Sequence, residues 1–413
     1  MEKYNKRKKC SVCDSNNFIE VLDLHQVPLA GYFPTKEQLK DNSCYPLKLL
    51  FCNESKLVQT DSVINPDILF KDYRYMSSIG LSKHFIQVAN ILNDKYQISG
   101  KNILEIGSND GVLLEPLAKL GANVIGVEPS INISKIAKDK GLNVINDYFN
   151  YNNFKGNKYK EKYDLVLANN AFAHIIDIKD VVKGIKHILK KDGYFIFEVH
   201  YLNNLINENQ WDNVYHEHIY YYSLTALHNL FTQFSMTLID FEEIPIHSGS
   251  IRVTVKNGNR QQPLHLLNKI KEESKTICNV QYLKNYNSQV KQHILNFNSI
   301  IKELSQKYNI AGYGASGRAN MFCNLTEIDK NIVKFIVDES PERCGRYIAN
   351  KGIPIVNIDT LKNSDVNLII IFAWNYSKMI IEKTQFKKFK YLVAFPTIQV
   401  VDTYEELKGF DSI

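Results

Sequence analysis

Long hydrophobic runs are missing from this sequence. No stretch approaches the roughly 18 consecutive apolar residues that a membrane helix requires, and the basic start MEKYNKRKKC leads into no apolar core of a secretion signal. A cytoplasmic protein with no membrane partner is expected. Dense basic blocks are missing too: Lys and Arg number 50 against 44 Asp and Glu, a net charge of +6 spread over 413 residues. Nothing of that kind tracks a phosphate backbone, so nucleic acid is not an expected partner, while one anionic small molecule is compatible. An even set of cysteines is also absent; seven in a long chain argue against a disulfide framework. Neither short repeats nor low-complexity tracts occur beyond scattered Asn and Lys. What remains is a globular chain, 44% hydrophobic and too long for a single core, so two or three domains are expected.

The organisation follows from how the apolar pattern changes. Residues 1–70 are loop-like between CSVCDSNN and the strand-like YPLKLLFCNESKLVQT, which suggests a small domain held by a staple. Residues 71–260 open with LSKHFIQVANILNDK, an amphipathic helix by its spacing, and continue with short apolar runs (KNILEIGSNDG, NVIGVEPS, YDLVLANNAFAH, GYFIFEVH) separated by helical stretches. That alternation predicts a doubly wound parallel sheet. Residues 261–413 begin with a polar, helix-compatible stretch and then repeat the α/β alternation as a second Rossmann-like unit.

In the first unit, LEIGSNDGVLL sets Glu105, Gly107, Asn109, Asp110 and Gly111 at the end of a strand and the opening of a helix, and the next strand ends in Glu128, placed to accept from ribose hydroxyls. A dinucleotide site wants G-x-G-x-x-G around a pyrophosphate. Here acidic groups flank the turn; they would repel a pyrophosphate but suit a sulfonium and an amino group. The motif resembles class I S-adenosylmethionine-dependent methyltransferases, and that comparison puts Asp147 near the adenine and Asn169 and Asn170 toward the sulfonium.

The stretch DNVYHEHIYYYSL, residues 212–224, gathers two histidines, a glutamate and four tyrosines. Methyl transfer to carbon needs a base to remove a proton beside a carbonyl, and donors for the resulting enolate; histidine, with an ordinary pKa of about 6.5, suits the base. Strand alternation would keep these side chains from sharing one pocket, so a loop or helix start is expected here. His218 and Glu217 are the strongest candidates, and His174, at the end of NNAFAH, would enter the same cleft from the carboxyl edge of the sheet. His216, Tyr222, Ser250 and Arg252 are further candidate substrate contacts.

YHEHIYYYS, LEIGSNDG, NNAFAH, DYRYMSS and HSGSIRV, with the paired-cysteine start and the late GYGAS and FAWN, resemble in order the sugar C-methyltransferases that act on nucleotide-linked 4-keto-6-deoxyhexoses. The resemblance implies a small zinc-binding domain, a methyltransferase domain and a carboxyl-terminal Rossmann-like domain that helps hold the nucleotide sugar, in a monomer or weak oligomer. It implies catalytic roles for Tyr75, His174, Tyr215, Glu217 and His218. His218 would be the base at carbon 3, beside the carbon-4 ketone, and the others would orient the sugar or stabilise the enolate.

Cys10 and Cys13 form Cys-x-x-Cys, and a zinc site wants a second pair. The family has one, but CNES offers Cys52 and Ser55. Zinc is expected on Cys10, Cys13 and Cys52, with Cys44 or His25 available as a fourth ligand. The late GYGASG, Gly312-x-Gly314-x-x-Gly317 with Asp338 some twenty residues on, reads alone as a dinucleotide fingerprint. An NAD-dependent oxidoreductase is therefore a competing reading, beside sugar O-methylation and a catalytically silent binding protein. Under the resemblance, Gly312, Gly314, Ser316, Arg318, Asp338 and Asn375 would instead hold the nucleotide sugar.

Overall fold

A computed structural model describes residues 3–70 and 77–409. Its largest sheet has seven strands in the order Met236–Ile244, Ser250–Asn257, Leu189–His200, Tyr163–Asn169, Asn102–Ile106, Asn123–Val127 and Val144–Ile145. The first three strands along the chain run outward from Asn102–Ile106; the chain then crosses back and adds Tyr163–Asn169 on its other side, in parallel. Met236–Ile244 and Ser250–Asn257 form an antiparallel hairpin that closes the far edge against Leu189–His200. The central strands are buried along nearly their whole length, as continuous apolar runs covered on both faces require. The reversal in strand order lies between Asn102–Ile106 and Tyr163–Asn169, and the carboxyl ends of such strands are where sheets of this kind take ligands. The amphipathic stretch read from the sequence is the helix Ser78–Tyr96, which buries Leu81, Phe85, Val88, Ala89 and Leu92.

The second α/β unit is a six-stranded sheet in the order Ile355–Val356, Val333–Val337, Ile310–Tyr313, Leu368–Ile371, Lys390–Val393 and Gln399–Val401. All pairs are parallel except the last, which is the doubly wound order of a Rossmann-like sheet. The polar stretch before it forms the helices Leu264–Glu273 and Val280–Ser305.

The amino-terminal segment forms a four-stranded antiparallel sheet of Phe18–Val27, Tyr45–Cys52, Val58–Thr60 and Tyr220–Tyr221. Its edge strand comes from the histidine-rich stretch, more than a hundred and fifty residues later. The sheet therefore carries that stretch against the carboxyl edge of the central sheet: Ile219 N–H donates to Ala173 C=O at 2.9 Å. Among the described residues, no helix is long and apolar enough to cross a membrane.

Candidate active site

At the carboxyl ends of these strands stands first the turn after Asn102–Ile106. Gly107 (φ +69°), Asn109 (φ +48°) and Gly111 (φ +80°) take left-handed backbone. A Cβ on Gly107 would lie 2.6 Å from Ala171 Cβ, and one on Gly111 2.3 Å from Leu142, so both positions exclude a side chain. Glu128 braces the turn, accepting from Asn109 N–H at 3.0 Å and from Ser130 N–H at 2.9 Å. Burial pushes the Glu105 carboxyl well above its ordinary pKa and raises Glu128 as well. Asp110 Oδ1 and Asn170 Nδ2 are buried with no hydrogen-bond partner in the protein, and the buried Glu105 carboxyl faces the Asn169 side-chain amide. Buried polar atoms are ordinarily satisfied, so acceptors and amide donors concentrated at one strand edge fit a polar, cationic ligand. Asp147 is exposed, accepting from Tyr148 N–H at 2.7 Å and Asn153 Nδ2 at 2.9 Å.

His174, Tyr215, Glu217 and His218 come together beside this edge. The 215–218 segment is a turn, with His218 N–H donating to Tyr215 C=O at 3.1 Å. That turn stacks Tyr215 on His218, ring centroids 4.1 Å apart, with Tyr215 Oη 2.9 Å from His218 Nε2. His218 Nδ1 lies 3.3 Å from Asn213 C=O, and His174 Nδ1 lies 2.6 Å from Glu217 C=O. A carbonyl only accepts, so His218 Nδ1 carries the proton and His218 Nε2 the lone pair. The two imidazoles are 5.1 Å apart. Burial pushes both below the ordinary histidine value, His218 well below, and the neighbouring His174 and His200 add to the shift of His218. Glu217 Oε1 accepts from Gly31 N–H at 3.1 Å; Oε2 is buried without a partner, and burial raises this carboxyl. Tyr75 lies outside the described residues.

Several expected substrate contacts stand elsewhere. His216 points the opposite way from His218: fully buried, it sits edge-on to Tyr45 with Nε2 3.3 Å from Pro46 C=O, because the turn alternates its side chains. Tyr222 is core, stacked on Phe172 at 5.6 Å with its hydroxyl donating to Phe172 C=O. Ser250 donates to Ile246 C=O at 2.9 Å. Arg252 reaches Glu198 through Nε and a terminal nitrogen, at 3.0 and 2.8 Å, and Glu242 at 2.8 Å, while His84 holds the other Glu198 oxygen at 2.8 Å.

The late glycines are packing glycines. A Cβ on Gly312 would fall 2.4 Å from the Phe372 ring, one on Gly314 (φ +91°) 2.6 Å from Ala373, and one on Gly317 3.2 Å from Ala30. Ser316 caps the helix Gly317–Leu325 by accepting from Ala319 N–H, and Asp338 accepts from Ala315 N–H at 2.7 Å and faces Arg343 at 3.2 Å. The turn thus closes on the protein's own groups. Arg318 makes a two-point contact with Asp212, and Asn375 lies half-buried beside it in the Trp374–Tyr376 turn.

Two histidines that the sequence reading passed over belong to the same cluster. His200 ends a central strand with Nε2 2.9 Å from Gln210 Oε1, and His247 sits in left-handed backbone (φ +53°) beside Ser248 and Gly249, both also at positive φ. Burial lowers His200 to about 3 and His247 to about 4, with the Arg318 charge adding to both. Neither has a spacing signature; the unusual His-Ser-Gly run was the only local hint.

Three family models match in succession: one described as a zinc binding domain over residues 10–70, a methyltransferase domain over 84–240 and a C-methyltransferase C-terminal domain over 245–396. C-methyltransferase NovU from Streptomyces niveus is 26% identical over 97% of this chain and 98% of its own length. This chain is a full-length homologue of that C-methyltransferase. A ubiquinone biosynthesis O-methyltransferase from Bradyrhizobium diazoefficiens is 33% identical to this C-methyltransferase homologue, over 24% of the chain and 40% of that relative. Among solved structures, magnesium protoporphyrin IX methyltransferase from Synechocystis PCC 6803 aligns over 44% of the chain and 81% of its own, at 13% identity and a TM-score of 0.34.

In the amino-terminal module of this homologue, the sulfurs of Cys10, Cys13 and Cys52 lie within 4.8 Å of one another, a soft donor set that suits zinc. Neither fourth ligand expected from the sequence joins them. Cys44 accepts from Asn350 Nδ2 at 3.2 Å, on the far side of the module, and His25 is largely exposed beside Asp23. The fourth side is lined by oxygen: Ser55 Oγ is 3.1 Å from Cys10 Sγ and Glu54 Oε2 3.8 Å from Cys13 Sγ.

Proposed function

We propose that this methyltransferase uses S-adenosylmethionine to methylate carbon 3 of a nucleotide-linked 4-keto-6-deoxy sugar, with His218 as the base. The observation that carries the reading is the His218 imidazole, neutral by burial and fixed by Asn213 C=O so that Nε2 holds the lone pair. Glu105, Glu128, Asp110, Asn169 and Asn170 would hold the methyl donor, which supplies an electrophilic methyl group on a sulfonium.

His218 Nε2 takes the carbon-3 proton, and the C–H electron pair moves into the carbon-4 carbonyl to give an enolate. Tyr215 O–H, hydrogen-bonded to Nε2 before the sugar enters, would turn to the sugar oxygen once Nε2 is protonated. Burial raises the Glu217 carboxyl, and its protonated form would be a second donor. A bound methyl donor would supply the methyl group to the enolate carbon, its sulfonium becoming a thioether. A base contributes typically about 10²–10⁴-fold and one oxyanion donor about 2.7–4 kcal/mol, so the groups must act together.

Full-length similarity to a named C-methyltransferase favours carbon over oxygen as the acceptor. Closure of the GYGASG turn on Asp338, Phe372 and Ala30 speaks against the oxidoreductase reading. The test is incubation with methyl-labelled donor and a panel of nucleotide-linked 4-keto-6-deoxyhexoses, with the product mapped by NMR. A new methyl on carbon 3 is expected. His218→Asn should keep donor binding and lose both the product and deuterium exchange at carbon 3. A label on oxygen, or none across the panel, overturns the assignment.

A further inference from the structure

We propose that the helix Gly317–Leu325 of the carboxyl-terminal unit aligns the candidate catalytic pair, fixing His218 through Arg318 and Glu217 through Asn320. This rests on the catalytic reading of those two residues. It assigns Arg318 and Asn320 as positioning residues, where the sequence had offered Arg318 as a substrate contact.

The first arm runs through Asp212. Arg318 Nε and a terminal nitrogen donate to its two oxygens at 2.9 and 3.0 Å; the remaining terminal nitrogen donates to Ser248 Oγ at 2.9 Å. The guanidinium lies 4.6 Å from the Trp374 ring centre, and Trp374 Nε1 donates to the same carboxylate at 3.2 Å. Asp212 is 1% exposed, so its charge depends on this partner. The next residue, Asn213, presents the carbonyl that receives His218 Nδ1–H at 3.3 Å and Tyr221 O–H at 3.4 Å. A planar two-point grip fixes the Asp212 backbone in direction as well as distance, and hence sets which imidazole nitrogen carries the proton.

The second arm leaves the same helix two residues on, from a different face. Asn320, fully buried, donates through Nδ2 to the carbonyls of Leu29, Ala30 and Tyr32 at 3.1, 3.2 and 3.0 Å. Gly317 lets that loop approach, since a Cβ there would sit 3.2 Å from Ala30. Gly31, held in the middle, donates its N–H to Glu217 Oε1 at 3.1 Å. One short helix thus tethers both neighbours in the Tyr-His-Glu-His run, through the 29–32 loop on one side and Asp212–Asn213 on the other.

Arg318→Lys keeps the charge on Asp212 but not the two-point geometry. The substrate-free readout is the ¹⁵N imidazole spectrum of His218, assigned with His218→Asn. The wild type should show the Nδ1–H tautomer, and Arg318→Lys a mixture with Nε2–H. For the second arm, Asn320→Ala should speed hydrogen exchange of the Gly31 amide at least tenfold while donor binding stays unchanged. With dTDP-4-keto-6-deoxyglucose as probe substrate, Arg318→Lys should lower kcat about 10- to 100-fold, the scale of small misplacement, with KM within twofold. An unchanged tautomer in Arg318→Lys together with unchanged Gly31 exchange in Asn320→Ala overturns the proposal. A raised KM with unchanged kcat overturns it for Arg318 in favour of a direct sugar contact. Failure of the wild type on the probe would count against the function alone, because the spectroscopic arms need no substrate.

Discussion

At the scale of single residues, the polar core of this molecule is an assembly of neutral imidazoles. His218 is held below the ordinary value of 6.5 first by burial and then by its histidine neighbours. A base must be unprotonated to act, and a lowered pKa moves the loss of activity to more acidic pH. The acid limb of kcat/KM for the free enzyme should therefore lie below pH 6.5; a limb at 7 or above would mean that another group, or a charge partner absent from this site, governs the proton. The grouping of Tyr215, Glu217 and His218 is legible in the sequence because all three sit in one short run. The direction of His216 is not, since it depends on a turn that sends successive side chains toward different domains. His200 and His247 are illegible for a related reason: a strand end and a left-handed loop bring them together only through the tertiary fold.

Whole elements carry a different lesson. Both doubly wound sheets are readable from alternating apolar runs, because a parallel sheet covered on both faces leaves few other patterns available. The Gly312-x-Gly314-x-x-Gly317 spacing reads just as clearly and means something else. Its glycines allow Phe372, Ala373 and Ala30 to approach the backbone, so a fingerprint usually credited to a pyrophosphate here reports close packing. Gly312→Ala should lower the stability of the carboxyl-terminal unit by about 1–3 kcal/mol, the usual range for overpacking a core, as read from the midpoint of urea unfolding. NAD should bind neither the wild type nor the variant in calorimetry; heat of binding at micromolar NAD would restore the dinucleotide reading. The Met236–Ile244 and Ser250–Asn257 hairpin also explains why Arg252 and Ser250 are poor candidates for the sugar: its pairing turns them onto Glu198 and Ile246.

For the whole molecule, the three-cysteine module and the histidine-rich stretch share one sheet. Three clustered thiols fit zinc, and Ser55 stands where a fourth thiol would complete the set. Elemental analysis of the purified chain should find about one zinc per protein. Ser55→Cys should slow zinc loss to a competing chelator, and stripping the metal should lower the thermal transition and, through the 29–32 loop, activity; equal loss rates in both proteins would rule out a ligand role for position 55. The sequence announces the cysteines but not this linkage, because the strand that joins the two regions is only two residues long.

That short strand also bears on how the chain is made. Val58–Thr60 finds its outer neighbour only when Tyr220–Tyr221 has been synthesised, so the amino-terminal sheet emerges from the ribosome with an open backbone edge. An exposed edge of that kind invites pairing with other chains. A piece cut at residue 70 would keep this adhesive border permanently, and the natural cure for it is the arrival of the histidine-rich segment itself.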